Sequence, residues 1–349
     1  MPPVHFAGQA RAEFSLSRHL VRRGKLHHMT RKVLILGAGG FVGRHVLAGL
    51  PAPGFPVVAG LRRDGPAGVE ARQLDATDAA SLKAALEGIT DIVNCVAAAP
   101  DAMVAGIRAL CAVAGTRRII QLSSMAVYGD ATGLVGEDAP LTGSGGYAES
   151  KVAAEALLRD HVAGGGEAVL LRPGCIHGPG SEQWTARPAR LLRQGRLGDL
   201  AAAGDGICNL TSVADLVAAI VAALQRPEVN GAAFNISDPA PGDWNSYFRH
   251  LALAIGATPI HRLPGWQMKL EKLAAIPLKV GEILGRKARM RTPDPIPPSL
   301  WRLFGQDITL DHRRADAALG FARQSPDEAL TQAAQWVERD ALRRNRRKR

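Results

Sequence analysis

The stretch "KVLILGAGGFVGRHVLAGL", residues 32–50, predicts how this chain begins to fold. Its first residues form a short apolar run, as in a buried strand, and its last ten repeat apolar positions at helical spacing. Gly37, Gly40 and Gly43 lie in the turn between the two. A strand, a glycine turn and a helix in this order predict a site where a pyrophosphate approaches the free amides at the start of the helix.

The next segments of the chain alternate between short apolar runs and helix-like sequence. "VVAGL" (57–61) is a second apolar run, and "DAASLKAALEGI" (78–89) is amphipathic at helical spacing. "DIVNCVAA", "RRIIQLSS" and "EAVLLRPG" follow as further runs. Strands that alternate with helices predict an α/β protein with a doubly wound parallel sheet, the Rossmann fold, covered on both faces.

After residue 175 the pattern loosens, because proline and glycine become frequent and the helical segments are interrupted. This change predicts a smaller, mixed and mostly helical C-terminal region that binds the substrate. The helix 212–224 and the strand 232–236 are expected to return to the first domain. The predicted units are an N-terminal extension at 1–28, a dinucleotide-binding domain at 29–180, a substrate-binding region at 181–342 and a basic tail at 343–349.

The N-terminal extension has two interpretations. Residues 1–28 are rich in arginine and nearly free of acidic residues, as a transit peptide is. Met29 directly precedes the first strand segment, so a natural start at Met29 is the competing interpretation. In either case the extension is left out of the predicted fold.

The net charge of +11 raises the question of a nucleic-acid partner. Residues 1–32 carry seven basic residues against one acidic residue, and residues 343–349 carry six basic residues. Residues 33–342 are therefore close to neutral, which argues against a face that reads phosphates. The longest apolar run, around 216–224, is about half of the ~20 residues that span a bilayer. The sequence predicts neither a nucleic-acid partner nor a membrane span.

The cysteines are few and widely spaced. No pair shows the close spacing of a zinc site or a redox motif, which argues against a bound metal and against a disulfide framework. The pattern suits a reducing compartment, so we expect a cytoplasmic protein. The four positions are Cys95, Cys111, Cys175 and Cys208.

The end of the second strand distinguishes between the two nicotinamide dinucleotides. An acidic residue there binds the ribose hydroxyls of NAD, whereas a guanidinium binds the 2′-phosphate of NADP in a charge-assisted fork. Arg62 and Arg63 occupy this place and Asp64 follows a little late. The sequence therefore predicts NADP(H), with Arg62 as the main contact; two solvated arginines and an NAD site are the alternative.

Asp75 ends the next short strand segment, "RQLD". Its carboxylate is a candidate acceptor for the adenine amino group of the cofactor. The alternative is a purely local role near the start of the helix 78–89, where aspartate caps free amides.

The stretch "GGYAESKVAAE" (145–155) places a tyrosine and a lysine one helical turn apart. The ammonium of Lys151 is expected to lower the pKa of the Tyr147 phenol, which is ~10 in a free side chain. Such a phenol can donate a proton to a carbonyl as a hydride arrives, or remove one in the reverse direction. Ser124, just after another predicted strand, can hydrogen-bond the reacting oxygen.

Together these motifs resemble the extended short-chain dehydrogenases/reductases, also called the NAD-dependent epimerase/dehydratase family, over residues 31–240. The resemblance rests on "GAGGFVG", "DIVNCVAAA", "SSMAVYG", Tyr147 with Lys151, "LLRPGCIHGPG" and "LTSVADLVAAI" in this order. It implies that Ser124, Tyr147 and Lys151 form the catalytic triad. It also implies that Lys151 binds the nicotinamide ribose.

The same resemblance implies further contacts to the cofactor. The amides of Phe41 and Val42 would face the pyrophosphate, and Ala97 would line the cofactor. The backbone from Pro173 to Ile176 would flank the nicotinamide. Tyr128, in "VYG", is expected to be structural or substrate-facing rather than the acid.

The chain also departs from the family. Only about twenty residues separate Ala98 from Arg118, where the family usually has a longer loop and a helix that carries an asparagine and half of the dimer interface. A homodimer therefore stays an open alternative. Met125 and Ala126 stand where sugar-nucleotide dehydratases have an Asp-Glu pair, and Cys208 stands where sugar-nucleotide epimerases have an arginine for the diphosphate.

The resulting hypothesis is an NADP(H)-dependent oxidoreductase that transfers a hydride to or from the carbonyl or secondary alcohol of a small substrate. A nucleotide-sugar 4-epimerase or 4-ketoreductase is the alternative, because the same triad supports that chemistry. A non-catalytic sensor of NADP(H) is a third interpretation. The intact triad argues against it, because a sensor has no use for a catalytic phenol.

Overall fold

The computed structural model describes residues 31–51, 54–63, 65, 68–288 and 294–346, with backbone alone for 279–288 and 344–346. The predicted extension at 1–28 and Asp64 lie outside the described residues. Helices and strands are numbered below in chain order.

Short parallel strands build the centre of the molecule. The strands are β1 (Val33–Leu36), β2 (Val57–Leu61), β3 (Ala71–Gln73), β4 (Asp91–Asn94), β5 (Arg118–Leu122), β6 (Gly133–Val135), β7 (Glu167–Pro173), β8 (Cys175–His177), β9 (Leu210–Ser212), β10 (Ala233–Ile236) and β11 (Ile308–Leu310).

Seven of these strands form one sheet in the order β10-β7-β5-β4-β1-β2-β3, and every pair in it is parallel. The chain builds outward from β1 to β2 and β3, then crosses back to β4 on the other side of β1. The order therefore reverses between β1 and β4, and ligands of such sheets bind at the carboxyl ends of the strands beside this reversal. The predicted doubly wound α/β fold is confirmed.

The helices cover both faces of the sheet and extend into the C-terminal region. They are α1 (Phe41–Gly49), α2 (Ala79–Ala85), α3 (Pro100–Ala114), α4 (Gly146–Ala163), α5 (Arg187–Arg193), α6 (Val213–Gln225), α7 (Trp244–Ala254), α8 (Gly265–Ala288), α9 (Pro298–Phe304), α10 (Arg313–Leu319) and α11 (Pro326–Arg346). Within the described residues, no helix combines the length and apolarity needed to cross a bilayer.

Strand β1 shows why helices must pack on both faces of the sheet. Its four residues are completely or almost completely buried, and successive side chains point to opposite faces. Val33 and Ile35 join the apolar cluster under α1, α6 and α10, whereas Leu34 and Leu36 join the cluster under α2, α3 and α4.

The segment between β9 and β10 returns to the main sheet. Helix α6 packs against α1 and begins at Val213, one residue from the predicted start. Strand β10 extends the sheet beyond β7, with Phe234 opposite Leu171. The Rossmann unit is therefore completed by residues that follow the first part of the substrate-binding region.

The C-terminal region has its own aromatic core. The ring centroids of Trp244 and Phe304 lie 4.9 Å apart, and Phe248 and Trp301 pack on the same group. Two small parallel ladders, β6 with β11 and β8 with β9, connect this region to the loops of the sheet. Each ladder is three residues long, too short to leave a periodic signal in the sequence.

Helix α3 occupies the helix-like sequence expected between β4 and β5. The short segment between β4 and β5 still forms a helix of 15 residues, and this helix packs against α4. Fifteen helical residues advance ~22 Å, enough to run back along a four-residue strand. The helix contains no asparagine, so the polar residue that the family often places there is missing.

A buried ion pair fixes α4 to the sheet. Arg172 on β7 donates two hydrogen bonds to Glu155 on α4, at 2.9 and 2.7 Å, and both side chains are almost completely buried. Ser123, just after β5, donates to the same carboxylate at 2.6 Å. Arg172 also donates to the Tyr128 hydroxyl at 2.8 Å, and that hydroxyl donates to Asn235 on β10. Tyr128 is therefore a structural residue.

We expect Arg172→Leu to lower the free energy of unfolding by about 3–5 kcal/mol, because it leaves the Glu155 carboxylate buried without its main cation. The double variant Glu155→Leu/Arg172→Leu should recover part of this loss, since it leaves no unpaired charge. Urea unfolding at neutral pH measures both, with Arg313→Leu at an exposed arginine as the control. A single variant as stable as the control would contradict the role of the pair.

Candidate active site

The glycine turn after β1 has the geometry that its sequence predicts. Gly37 has a φ of +74°, and the amide of Gly40 donates to the Gly37 carbonyl at 2.9 Å. A Cβ on Gly43 would stand 2.2 Å from that carbonyl oxygen, which no side chain tolerates. Glycine is therefore required for the first turn of α1 to lie this close to the end of β1.

The start of α1 faces the loops at the carboxyl end of the sheet. Phe41 and Val42 are its first two residues, and the first amides of a helix have no partner within it. Both residues are partly exposed. A tight turn without side chains, beside free amides at the positive end of a helix, fits a pyrophosphate.

The three residues of the predicted triad meet at the carboxyl end of β5. Ser124 precedes a 3₁₀ turn, Met125–Tyr128, and Tyr147 is the second residue of α4. The Ser124 and Tyr147 side chains are hydrogen-bonded to each other. Lys151 lies 5.7 Å from the centroid of the Tyr147 ring. The arrangement brings a hydroxyl, a phenol and an ammonium to one place.

The pKa of Tyr147 contradicts one expectation from the sequence. Removal of water by the surrounding protein raises the pKa of the phenol, and the hydrogen bond with Ser124 only partly lowers it. Lys151 does not lower it in this state, since its Nζ donates instead to the Leu122 carbonyl at 2.8 Å. In the molecule as described, the tyrosine is therefore a protonated acid.

Lys151 is 5% exposed, and this burial lowers the pKa of its ammonium to about 8. Two neighbours oppose the shift: the thiol of Cys95, which follows β4, and Glu155, one helical turn further along α4. The lysine therefore changes charge close to physiological pH.

Cys95 and Glu155 were not recognised in the sequence as neighbours of the catalytic lysine. Glu155 had a detectable signal, because it stands four residues after Lys151 on the same helical face. Arg172 could also have been recognised, because it is a charged residue within an apolar strand segment. Cys95 had none, because its proximity depends on the pairing of β4 with β5.

The predicted contacts for the adenosine half of the cofactor lie around the end of β2. Arg62 and Arg63 directly follow the strand and are exposed. Asp75 lies close to Arg62, and its carboxylate accepts from the Thr77 amide and hydroxyl at 2.9 and 2.7 Å. The cap of helix α2 is instead Asp78.

The remaining predicted cofactor contacts also follow the strands at this edge. Ala97 is exposed in the loop after β4, Pro173 ends β7, and Ile176 lies in β8. All three lie at or just beyond the carboxyl ends of β4 and β7.

Cys208 and Trp184 belong to the apolar core of the C-terminal region. Cys208 is 3% exposed and packs in the C-terminal core, where the family's epimerases would need a solvated arginine. Cys175 lies close enough to Tyr147 to affect its pKa. Trp184 lines an apolar cavity with residues of α5, α7 and α9, whereas Trp266 is exposed on α8 and does not line it.

The family assignment follows from comparison with known proteins. The NAD dependent epimerase/dehydratase family matches residues 33–237, more than half of the chain. The chain belongs to this family. Its members are enzymes that depend on a nicotinamide dinucleotide, so the predicted class of enzyme is confirmed.

Individual relatives are more distant. Protein YeeZ of Escherichia coli (strain K12) is 33% identical over 147 residues, 41% of this chain, and the chain spans about half (47%) of YeeZ. A 3-diazoavenalumate denitrifying reductase from Streptomyces sp is 27% identical over 67% of this chain and 84% of its own length. The structure of MoeE5 in complex with UDP-glucose and NAD superimposes with a TM-score of 0.66 at 24% identity, over 89% of this chain and 99% of that one.

The lowered pKa of Lys151 predicts how stability depends on pH. The folded-state pKa of about 8 lies below the ordinary value of 10.5, so the unfolded chain binds more protons between these two pH values. The contribution of Lys151 to stability is therefore complete above pH 10.5 and is lost as the pH falls through 8. Relative to wild type, Lys151→Met should gain up to about 3 kcal/mol as the pH falls from 10.5 to 7. Denaturant unfolding of both proteins between pH 7 and 10.5 measures this difference in the free energy of unfolding. A difference that does not change with pH would contradict the lowered pKa of Lys151.

Proposed function

We propose that this protein is an NADP(H)-dependent oxidoreductase. It transfers a hydride between the nicotinamide and the carbonyl or secondary alcohol of a small, mostly uncharged substrate. One observation carries the proposal: Ser124, Tyr147 and Lys151 meet at the carboxyl end of β5, two strands from the glycine turn of β1.

The residues of the triad have separate tasks. A bound nicotinamide supplies or accepts the hydride. Ser124 holds the carbonyl oxygen by a hydrogen bond, and Tyr147 donates its proton to that oxygen as negative charge develops on it. The raised pKa of Tyr147 suits this role, because the phenol arrives protonated. In the oxidative direction the phenolate takes the proton back.

Lys151 stabilises the phenolate that remains after proton transfer. Only one of its three N–H donors is used by the Leu122 carbonyl, which leaves others for a ribose hydroxyl and for the tyrosine oxygen. The Lys151 ammonium can also release a proton to the phenolate. Because burial lowers the pKa of the Lys151 ammonium to about 8, its release of a proton costs little free energy near neutral pH.

The residues of this chain fit a nicotinamide dinucleotide. The first turn of α1 can hold the pyrophosphate, and several solved structures of the same fold contain NAD. The finer choice of NADP(H) rests on Arg62 and Arg63, two exposed guanidinium groups that follow the end of β2.

The substrate class follows from what the site lacks. A nucleotide diphosphate carries two negative charges and needs a cation, but the position of the usual arginine holds the buried Cys208. Met125 and Ala126 likewise provide no acid or base for dehydration. The reductase from Streptomyces sp, identical at 27% of positions, is consistent with net reduction. Nucleotide-sugar epimerisation, suggested by the UDP-glucose bound to MoeE5, is the second candidate.

Turnover with a panel of ketones and nucleotide sugars tests the proposal. We expect net oxidation of NADPH with one or more ketones, and Tyr147→Phe should abolish this turnover while leaving NADPH affinity within a few-fold. Loss of the phenolic proton removes the acid but no cofactor contact. Retained turnover in Tyr147→Phe would remove the tyrosine from the mechanism, and turnover of nucleotide sugars without net oxidation would favour the epimerase.

The choice between NADPH and NADH can be tested separately. Arg62→Ala should weaken NADPH binding about ten- to a hundredfold and scarcely change NADH binding, because a charge-assisted hydrogen bond contributes about 1.5–3 kcal/mol. Arg63 is its neighbour and can substitute in part, so the double variant should lose more than either single one. Titration calorimetry measures all four proteins. Tighter binding of NADH than of NADPH by wild type would overturn the NADP assignment and leave hydride transfer intact.

A further inference from the structure

Helix α8 presents a stripe of exposed apolar side chains. Trp266, Leu270, Leu273 and Ile276 are 64%, 54%, 75% and 69% exposed. Their spacing of three or four residues places them on one face of the helix. Single exposed apolar residues are ordinary, but a continuous stripe of large ones marks a surface that meets a partner.

The opposite face of α8 fixes the orientation of this stripe. Ala275 is 1% exposed, and Met268 packs against the C-terminal core. Gln267 donates to the Gly195 carbonyl at 2.9 Å. Arg196 donates to both carboxylate oxygens of Glu271, at 2.7 and 2.6 Å. The helix is therefore held by one face, and the apolar stripe points away from the protein.

The charges beside the stripe are all positive. Between residues 265 and 278 the acidic residue is Glu271, which is turned inward and paired with Arg196. Lys269 and Lys272 are exposed, and the ammonium of Lys272 lies 5.1 Å from the centroid of the Trp301 ring. The outer surface of this stretch thus combines large apolar side chains with two cations and no carboxylate.

We propose that this face of α8 binds the surface of an anionic phospholipid bilayer. The apolar side chains enter the boundary between headgroups and acyl chains, and the helix lies in the plane of the surface. Lys269 and Lys272 reach the phosphates with their flexible ends. Trp266 occupies the interfacial position that tryptophan favours.

A second copy of this chain fits the stripe less well. The stripe covers about ten residues of one helix, so it is ~15 Å long and ~10 Å wide, far below the ~800 Å² that each partner buries in a stable interface. A twofold contact would also bring the same lysines from both copies together. A narrow apolar stripe can insert into a bilayer surface, and anionic headgroups attract the two lysines. Charge complementarity therefore favours the bilayer over a second copy of the chain.

Sedimentation with phospholipid vesicles tests the proposal. We expect the full-length protein to bind vesicles of phosphatidylcholine with phosphatidylglycerol, more weakly as salt rises, and to bind pure phosphatidylcholine poorly. Leu273→Glu should weaken binding about ten- to a hundredfold, because it removes buried apolar area and adds a repelled charge. Lys269→Ala/Lys272→Ala should weaken it about fivefold per lysine on anionic vesicles only.

The control is Leu253→Glu, the same change at an exposed leucine of α7, which should bind as wild type does. Turnover of both glutamate variants shows that they are folded. Tryptophan fluorescence adds a second readout, because Trp266 is exposed while Trp244 and Trp301 are buried. Its emission should shift to the blue on anionic vesicles, and Trp266→Phe should lose the shift.

Three results would overturn the proposal. The first is no sedimentation of wild type with anionic vesicles at low salt. The second is equal binding by Leu273→Glu and Leu253→Glu, which would attribute any binding to other basic segments. A dimer of wild type that Leu273→Glu converts to a monomer, without vesicle binding by either, would assign the stripe to a second copy.

Discussion

The ion pair between Glu155 and Arg172 determines where the catalytic residues lie. It joins α4 to β7 where both side chains are almost completely buried, and Ser123, Arg159 and Tyr128 add further hydrogen bonds. Buried charges are costly unless they are paired and hydrogen-bonded in this way, so the helix has one favourable position against the sheet. Because Lys151 lies one turn before Glu155 and Tyr147 one turn before Lys151, that position also sets the site. The hydrogen bond from Ser123 to Glu155 also fixes the position of the adjacent Ser124.

Tyr147 is 52% exposed and Lys151 is 5% exposed, yet the surrounding protein shifts the pKa of both. Removal of water raises the pKa of Tyr147 and lowers the pKa of Lys151, so both groups move toward their neutral forms. A neutral acid and a weakly held ammonium suit proton transfer to a substrate oxygen, because a protonated phenol can donate and a lysine with a pKa of about 8 gives up its proton easily. Glu155 limits the effect on Lys151 and keeps part of its charge. The pair that positions the helix therefore also adjusts the chemistry.

Much of this architecture could be predicted from the sequence. The glycine turn, the alternating strands and the spacing of Tyr147 and Lys151 are local patterns, and local patterns survive without knowledge of the fold. The direction of the Tyr147 pKa shift could not be predicted, because it depends on how much water the folded chain removes. The short ladders β6–β11 and β8–β9 were missed, since three residues carry no period. Helix α3 belongs to the predictable part, because helix-like sequence separates the strand segments of β4 and β5.

Transfer of deuterium from the cofactor to the product tests whether this protein transfers a hydride. The enzyme is incubated with NADPH that carries deuterium at both positions of nicotinamide C4 and with a ketone that it reduces, and the product is analysed by mass spectrometry. The account predicts one deuterium on the carbinol carbon for each NADPH oxidised, with no label in the product of Tyr147→Phe, because that variant makes none. A turned-over substrate without deuterium and without net oxidation of NADPH would contradict hydride transfer to a carbonyl as the reaction of this protein.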